Sequence, residues 1–313
     1  MRHHQGVKRR ATQQRAVRAT IAGLVGLVLT GCGPTTSPPD SADPIPQTLF
    51  NSAIAAQVPG TIASAGEVTI ATDPTYEPME FQETGRIRGA DIDLARAIAA
   101  TLGLRVELSQ QAFSTIVASV AADRYQLGMS SLWAVEANSG LTDMITYFQS
   151  GIRAAIRKGE KAPSDLAAGL CGYRVSIEEG TEFIDDLVKQ NAKCEENSQK
   201  PVTILAKTDQ AGATEALLAG KADAMVADSP VVDYSVNTHP DTLKKLKSAG
   251  VDRDYGIAAS PNIPGWGKVI QQAVQALIDG GQYQEILARW KLRAGAIKTA
   301  ELIPAHPANE PQR

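Results

Sequence analysis

The sequence is short of the side chains that most often carry catalysis. Histidine occurs four times (His3, His4, His239, His306), never inside a motif, and cysteine three times. No spacing of these residues matches a metal site, and no nucleophile is set against a general base. No metal and no cofactor is therefore expected. A GxxxxGK[ST] loop is also missing, so the chain has no nucleotide-driven engine of its own. Positive charge is not in excess: 31 basic against 34 acidic residues give a net charge of −3, and no basic stripe is interleaved with aromatics. That excludes nucleic acid as a partner. What remains is 313 residues, 43% hydrophobic and 21% charged, ordinary for a globular protein and long enough for two domains.

The basic charge is concentrated at one end. The first eighteen residues carry five Arg and one Lys with no acid, and ATIAGLVGLVLTG follows. A basic segment and then roughly a dozen apolar and small residues describe a secretory signal, too short for the about 20 residues that cross a bilayer. Leu29-Thr30-Gly31-Cys32 resembles the bacterial lipobox, which makes residues 1–31 a lipoprotein signal peptide and Cys32 the lipidated first residue of the mature chain. The next stretch, GPTTSPPDSADPIPQ, buries too little apolar surface to fold and reads as a tether over residues 32–57. The expected location is extracytoplasmic, on the outer face of the cytoplasmic membrane. Cys171 and Cys194 remain, and in an oxidising compartment they are most simply a disulfide, worth roughly 3 kcal/mol by loop closure.

From EVTIATDP onward the hydrophobic pattern alternates between periods of two and 3.6. A strand stops at Asp73-Pro74; a helix carries Ile92, Leu94, Ala95, Ile98 and Leu102 and ends at Gly103; then come the strand LRVELSQ, the helix FSTIVASVAADR and the strand YQLGMSS. Near Lys158 the alternation restarts through the helix DLAAGLCG, the strand YRVSIEEG, the helix TEFIDDLVKQNA, the strand VTILA, the helix ATEALLAGKA and the strand DAMVADSP. The fold class is α/β: two lobes, each a mainly parallel sheet flanked by helices, joined by two hinge strands. The expected division is 58–154 with 256–295 for lobe 1, 155–255 for lobe 2 and 296–313 for a C-terminal tail, with crossovers near 154–157 and 255–259. Ligands gather beyond the carboxyl ends of such strands, where ATDPTY and GMSS lie.

At this point the motifs VTIATDPTYEPMEF, GADIDLARAIAATLG, YQLGMSS, IEEGT, GKADAMVADSPV and YGIAAS resemble, in order, the solute-binding proteins of polar amino-acid ABC importers. The paired Cys171 and Cys194 are similar to those of actinobacterial lipoprotein members. The resemblance implies a monomer that captures an amino acid or related nitrogenous solute by lobe closure and hands it to a permease driven by a separate ATPase. It implies Asp228 as the acceptor of the ligand ammonium, Asp73 and Tyr76 as partners from the first strand-end loop, and Phe81 and Phe113 as aromatic walls. Thr181 would offer a hydroxyl and a backbone N–H to a carboxylate. Glu182 departs from the small or hydroxylic residue that relatives carry there. Each of these residues also has a plainer reading, as a cap, a turn or core packing.

The segment GMSSLWAVEANSG departs further. Ser130 and Ser131 fit the pattern, but Trp133 stands where relatives have a small hydroxylic residue, and Asn138 where they have an arginine that grips the ligand carboxylate. No Arg or Lys nearby in sequence compensates, and asparagine cannot supply the charged fork. The lost cation and the gained indole shift the expected cleft toward a cationic ligand, a basic amino acid, an amine or a betaine-like compound; the plainer alternative is a standard amino acid held by serines and backbone donors alone. Two other classes stay open. One is a ligand sensor or degenerate binding protein; the other, on the same fold, is a dehydratase-type enzyme.

Overall fold

The computed structural model describes residues 49–161, 163, 169–246 and 252–305. The signal segment, Cys32, most of the tether, the core of the expected helix at 165–172 and the end of the tail lie outside them. Among the described residues no helix is long and apolar enough to cross a membrane.

The strand Glu67–Thr72 forms because Val68, Ile70 and Ala71 present apolar side chains to buried space on a β-branched backbone. It pairs in parallel with Arg105–Gln110 on one side and Leu127–Gly128 on the other. Between the first two runs the helix Ala90–Thr101, whose apolar residues are buried, packs on the sheet. Gly89 precedes it at φ 135°, and a Cβ there would lie 2.0 Å from the Met79 carbonyl oxygen, so only glycine fits this entry. The helices Trp266–Asp279 and Gln282–Arg289 return to pack against Ala90–Thr101.

One strand, Asp143–Arg157, belongs to both halves of the sheet. Its residues from Asp143 to Gly151 run antiparallel to Asp252–Ala259, and from Ile152 onward it runs antiparallel to Ala224–Asp228. The latter continues in parallel through Arg174–Glu178 to Thr203–Lys207. The change of partner falls at Gly151 and Ile152, upstream of the 154–157 suggested by the pattern. The strand is uninterrupted there, and hydrophobic patterning has no mark for a change of neighbour. Residues 255–259 lie wholly inside the strand that pairs with Asp143–Arg157. The result is the two-lobed periplasmic-binding-protein architecture, with mainly parallel strands and helices on their faces. A disulfide joins Cys171 to Cys194, tying the segment before Arg174–Glu178 to the helix Phe183–Glu196.

Candidate ligand-binding site

Where the two halves meet, side chains from both converge on Asp228. This residue ends the strand Ala224–Asp228 and precedes the helix Ser229–Thr238, but its carboxylate makes no capping bond to that helix. Instead the Tyr76 hydroxyl donates to Oδ2 at 2.7 Å, the Trp133 indole N–H to Oδ1 at 3.1 Å, and the Ser150 hydroxyl to Oδ1 at 3.2 Å. Asp228 is 2% exposed, and burial raises its pKa to about 7 against the lowering effect of these donors. Its plainer reading, an N-cap, is therefore not what the side chain does.

Trp133 is 2% exposed and stands edge-on to Phe183 of the second half, ring centroids 4.8 Å apart. The Arg253 guanidinium lies 3.9 Å over the indole and pairs with Asp186 at 2.9 Å. Asn138 donates to the Trp133 carbonyl at 2.8 Å and to Glu182 at 3.2 Å. Burial raises the Glu182 pKa, with Arg253 and Asn138 pulling it down. A cation is thus brought over Trp133 and within electrostatic reach of Glu182, the carboxylate to which Asn138 donates. It comes from Arg253, far along the chain on the strand Asp252–Ala259, where no local spacing could have indicated it.

Asp73 receives the Phe113 backbone N–H at 2.9 Å, and burial raises its pKa. Phe113 is half-buried against the smaller apolar cluster around Ile116 and Leu132. Ser130 and Ser131 turn away from the seam. Ser130 accepts the Asp73 N–H and donates to Glu80, both at 2.9 Å. Ser131, at φ 52°, donates its N–H to Asp91 at 2.9 Å and its hydroxyl to Glu80 at 3.4 Å. Burial, and after it the charge of Asp91, raises the Glu80 pKa; Asp91 is itself raised to about 6 by burial and also receives the Tyr147 hydroxyl at 2.6 Å. The serines therefore brace a buried acid pair. Thr181 is buried and donates to the Glu178 carbonyl at 2.8 Å. Phe81 packs edge-on to Trp290 and lines a cavity of about 320 Å³.

Sequence reasoning missed Glu178, at the end of Arg174–Glu178. It is 1% exposed, and burial together with the charges of Asp73, Asp209 and Asp228 raises its pKa well above the carboxylate range. The halves also touch at Gly180, which has φ 82° and lies so close to Ser114 that a Cβ would sit 2.6 Å from the serine Cβ. A larger cavity, about 550 Å³, opens beside Gln149, Arg153, Tyr234 and Trp290 and contains none of the candidate residues. Among the described residues no group of three or more His, Cys, Asp and Glu side chains could hold a metal ion.

The model of the bacterial extracellular solute-binding proteins, family 3, matches residues 68–293. The chain belongs to that family. It is 31% identical to the arginine-binding protein ArgT of Corynebacterium glutamicum, over 95% of this chain and 98% of that protein. Among solved structures, an ancestral arginine-binding protein bound to arginine superposes with a TM-score of 0.66 at 26% identity, covering 72% of this chain and 98% of that one. A cyclohexadienyl dehydratase of Pseudomonas aeruginosa is 23% identical over 58% of this chain and 66% of its own length. The family-3 protein described here thus resembles binding proteins along nearly its whole length, and an enzyme along a shorter part.

Proposed function

We propose that this protein is the extracytoplasmic substrate-binding component of an ABC importer, anchored through lipidated Cys32 and acting as a monomer. It captures a cationic amino acid or related nitrogenous solute between lobe 1 (58–154 and 256–295) and lobe 2 (155–255), and delivers it to a permease powered by a separate ATPase. The observation that carries the reading is the gathering of Asp73, Glu178 and Asp228 at the seam, where Tyr76, Phe113 and Trp133 supply aromatic surface. Carboxylates beside aromatic faces favour ammonium or guanidinium groups over anions. The arginine named for ArgT agrees in charge with such a ligand. Tyr76 and Trp133 from the first lobe reach Asp228 on the second, so binding and lobe closure are coupled through the same residues.

A second reading, a sensor or degenerate binding protein, draws support from Trp133, whose own N–H takes the place beside Asp228 that a ligand ammonium needs. A thermal-shift panel of amino acids, amines and betaines decides between them. A ligand that binds the folded chain raises the melting temperature with its affinity. Stabilisation by basic compounds supports import, whereas stabilisation by glutamate or aspartate alone removes the cationic reading and a flat panel favours the second one.

A further inference from the structure

The recognition of an α-amino-acid head group is taken up internally in this chain. Asp228 has donors from Tyr76, Trp133 and Ser150; Asn138 is bound to Glu182 and to the Trp133 carbonyl; and Arg253 is paired with Asp186. Glu178 is different. It is 1% exposed, and its Oε2 has no hydrogen-bond partner. A buried carboxylate oxygen without a partner costs about 1–3 kcal/mol or more, which a fold retains where a ligand offsets it.

The surroundings of Glu178 say what kind of ligand. The charges acting on it come from Asp73, Asp209 and Asp228, all acidic, and they are opposed by the backbone N–H of Gln210. Gln210 also lines the 320 Å³ cavity, together with Thr75, Phe81, Leu218 and Tyr234. Glu77 and Glu215 lie on the same cavity wall. Gln210 thus stands between Glu178, to which its backbone N–H is turned, and a cavity whose wall holds the apolar side chains of Phe81 and Leu218 beside Glu77, Glu215 and His239, surroundings that fit an alkyl chain bearing cations.

Resting on the reading of the seam as a solute site, we propose that Glu178 is the receptor for the ligand's charged end. The ligand is an elongated alkyl guanidinium or ammonium compound, and an α-carboxylate contributes little to its affinity. Its stem lies along Phe81 and Leu218.

Calorimetry on the full chain with four probes tests this: L-arginine, agmatine (the same guanidinium chain without the carboxylate), 1,4-diaminobutane and L-glutamine. The expected result is an agmatine Kd within tenfold of that of L-arginine, or tighter, and a Glu178→Gln variant at least tenfold weaker for both. The variant's melting temperature should be equal or higher, because a buried acid is removed. L-arginine binding tenfold or more tighter than agmatine overturns the proposal without use of any variant, and so does unchanged binding in Glu178→Gln. Glutamine binding that the substitution leaves intact, without cation binding, sinks the inference while the solute-binding reading stands. No binding of any probe, with a flat thermal-shift panel, overturns both.

Discussion

Replacing Trp133 by serine, the small hydroxylic type that the resemblance leads one to expect there, removes the most heavily engaged side chain of the seam. The indole is 2% exposed, hydrogen-bonded to Asp228, edge-on to Phe183 and covered by Arg253. Truncating a buried tryptophan costs about 3–5 kcal/mol where the surroundings cannot relax. Here they can, since Phe183 and Asp228 stand on the other half and the seam can open to water. The expected loss is therefore at the low end, about 3 kcal/mol, or roughly 6–12 °C in melting temperature for a domain of this size. Melts of the ligand-free chain followed by circular dichroism read it directly. A shift under about 2 °C would refute the reasoning, because it would mean that the indole is not packed between the halves in solution.

Three other perturbations test separate parts of the structure. Asp228 has a pKa raised from 3.8 to about 7, Asp91 is raised to about 6, and Glu178 and Glu80 are raised by burial, so the folded state holds more protons than the unfolded one between about pH 4 and 7. Stability contributed by these groups is full below their unfolded values and lost as pH rises through the folded ones. For Asp228 alone this is about 4 kcal/mol. Urea midpoints should fall from pH 5 to pH 8, less steeply in Asp228→Asn, and a rise would contradict the burial argument. Opening the Cys171–Cys194 bridge, by Cys171→Ser with Cys194→Ser, should lower unfolding free energy by roughly 3 kcal/mol for a loop of this length; urea titration checks this, and an unchanged midpoint speaks against it. Combining Trp133→Ser with Asn138→Arg removes the indole donor from Asp228, leaving those of Tyr76 and Ser150, and places a forked cation beside Glu182. Calorimetry should then register at least tenfold tighter binding of L-amino acids such as glutamine, and no gain would show that the head-group site is closed for another reason.

Much of the fold was legible because its periodicities are local. The helix with Ile92, Leu94, Ala95 and Ile98 announces itself within a dozen residues, and so does the strand that carries Val68 and Ile70. The seam was legible only where a motif marked it. Tyr76, Trp133 and Asp228 do come together, with Asn138 and Glu182 beside them, while Asp73 is held by Phe113 and Ser130. The orientation of a side chain within a motif was not legible. Ser130 and Ser131 stand at a strand end yet face Glu80 and Asp91, because Ser131 adopts a positive φ that no composition rule announces. Arg253 and Glu178 escaped for a different reason. Their roles depend on neighbours contributed by other elements and loops far along the chain: Trp133 and Asp186 for Arg253, and Asp73, Asp209 and Asp228 for Glu178. A signal did exist for Glu178, a charged residue at the buried end of the apolar run YRVSI, and a charge that ends a buried strand is worth reading as a site.

The strand Asp143–Arg157 has a consequence for how the chain can be taken apart. The half containing Arg174–Glu178, Thr203–Lys207 and Ala224–Asp228 takes its inner neighbour, residues 152–156, from a strand that also pairs with Asp252–Ala259. Expressed alone as 155–255, it would leave the backbone of Val226, Ala227 and Asp228 without the partners that cover it and expose an apolar sheet edge. The two halves of the sheet are thus not autonomous folding units. A dissection of this protein for biophysical work has to keep residues 143–157 with both pieces, and amide exchange along that strand reports the opening of the entire molecule rather than of either lobe.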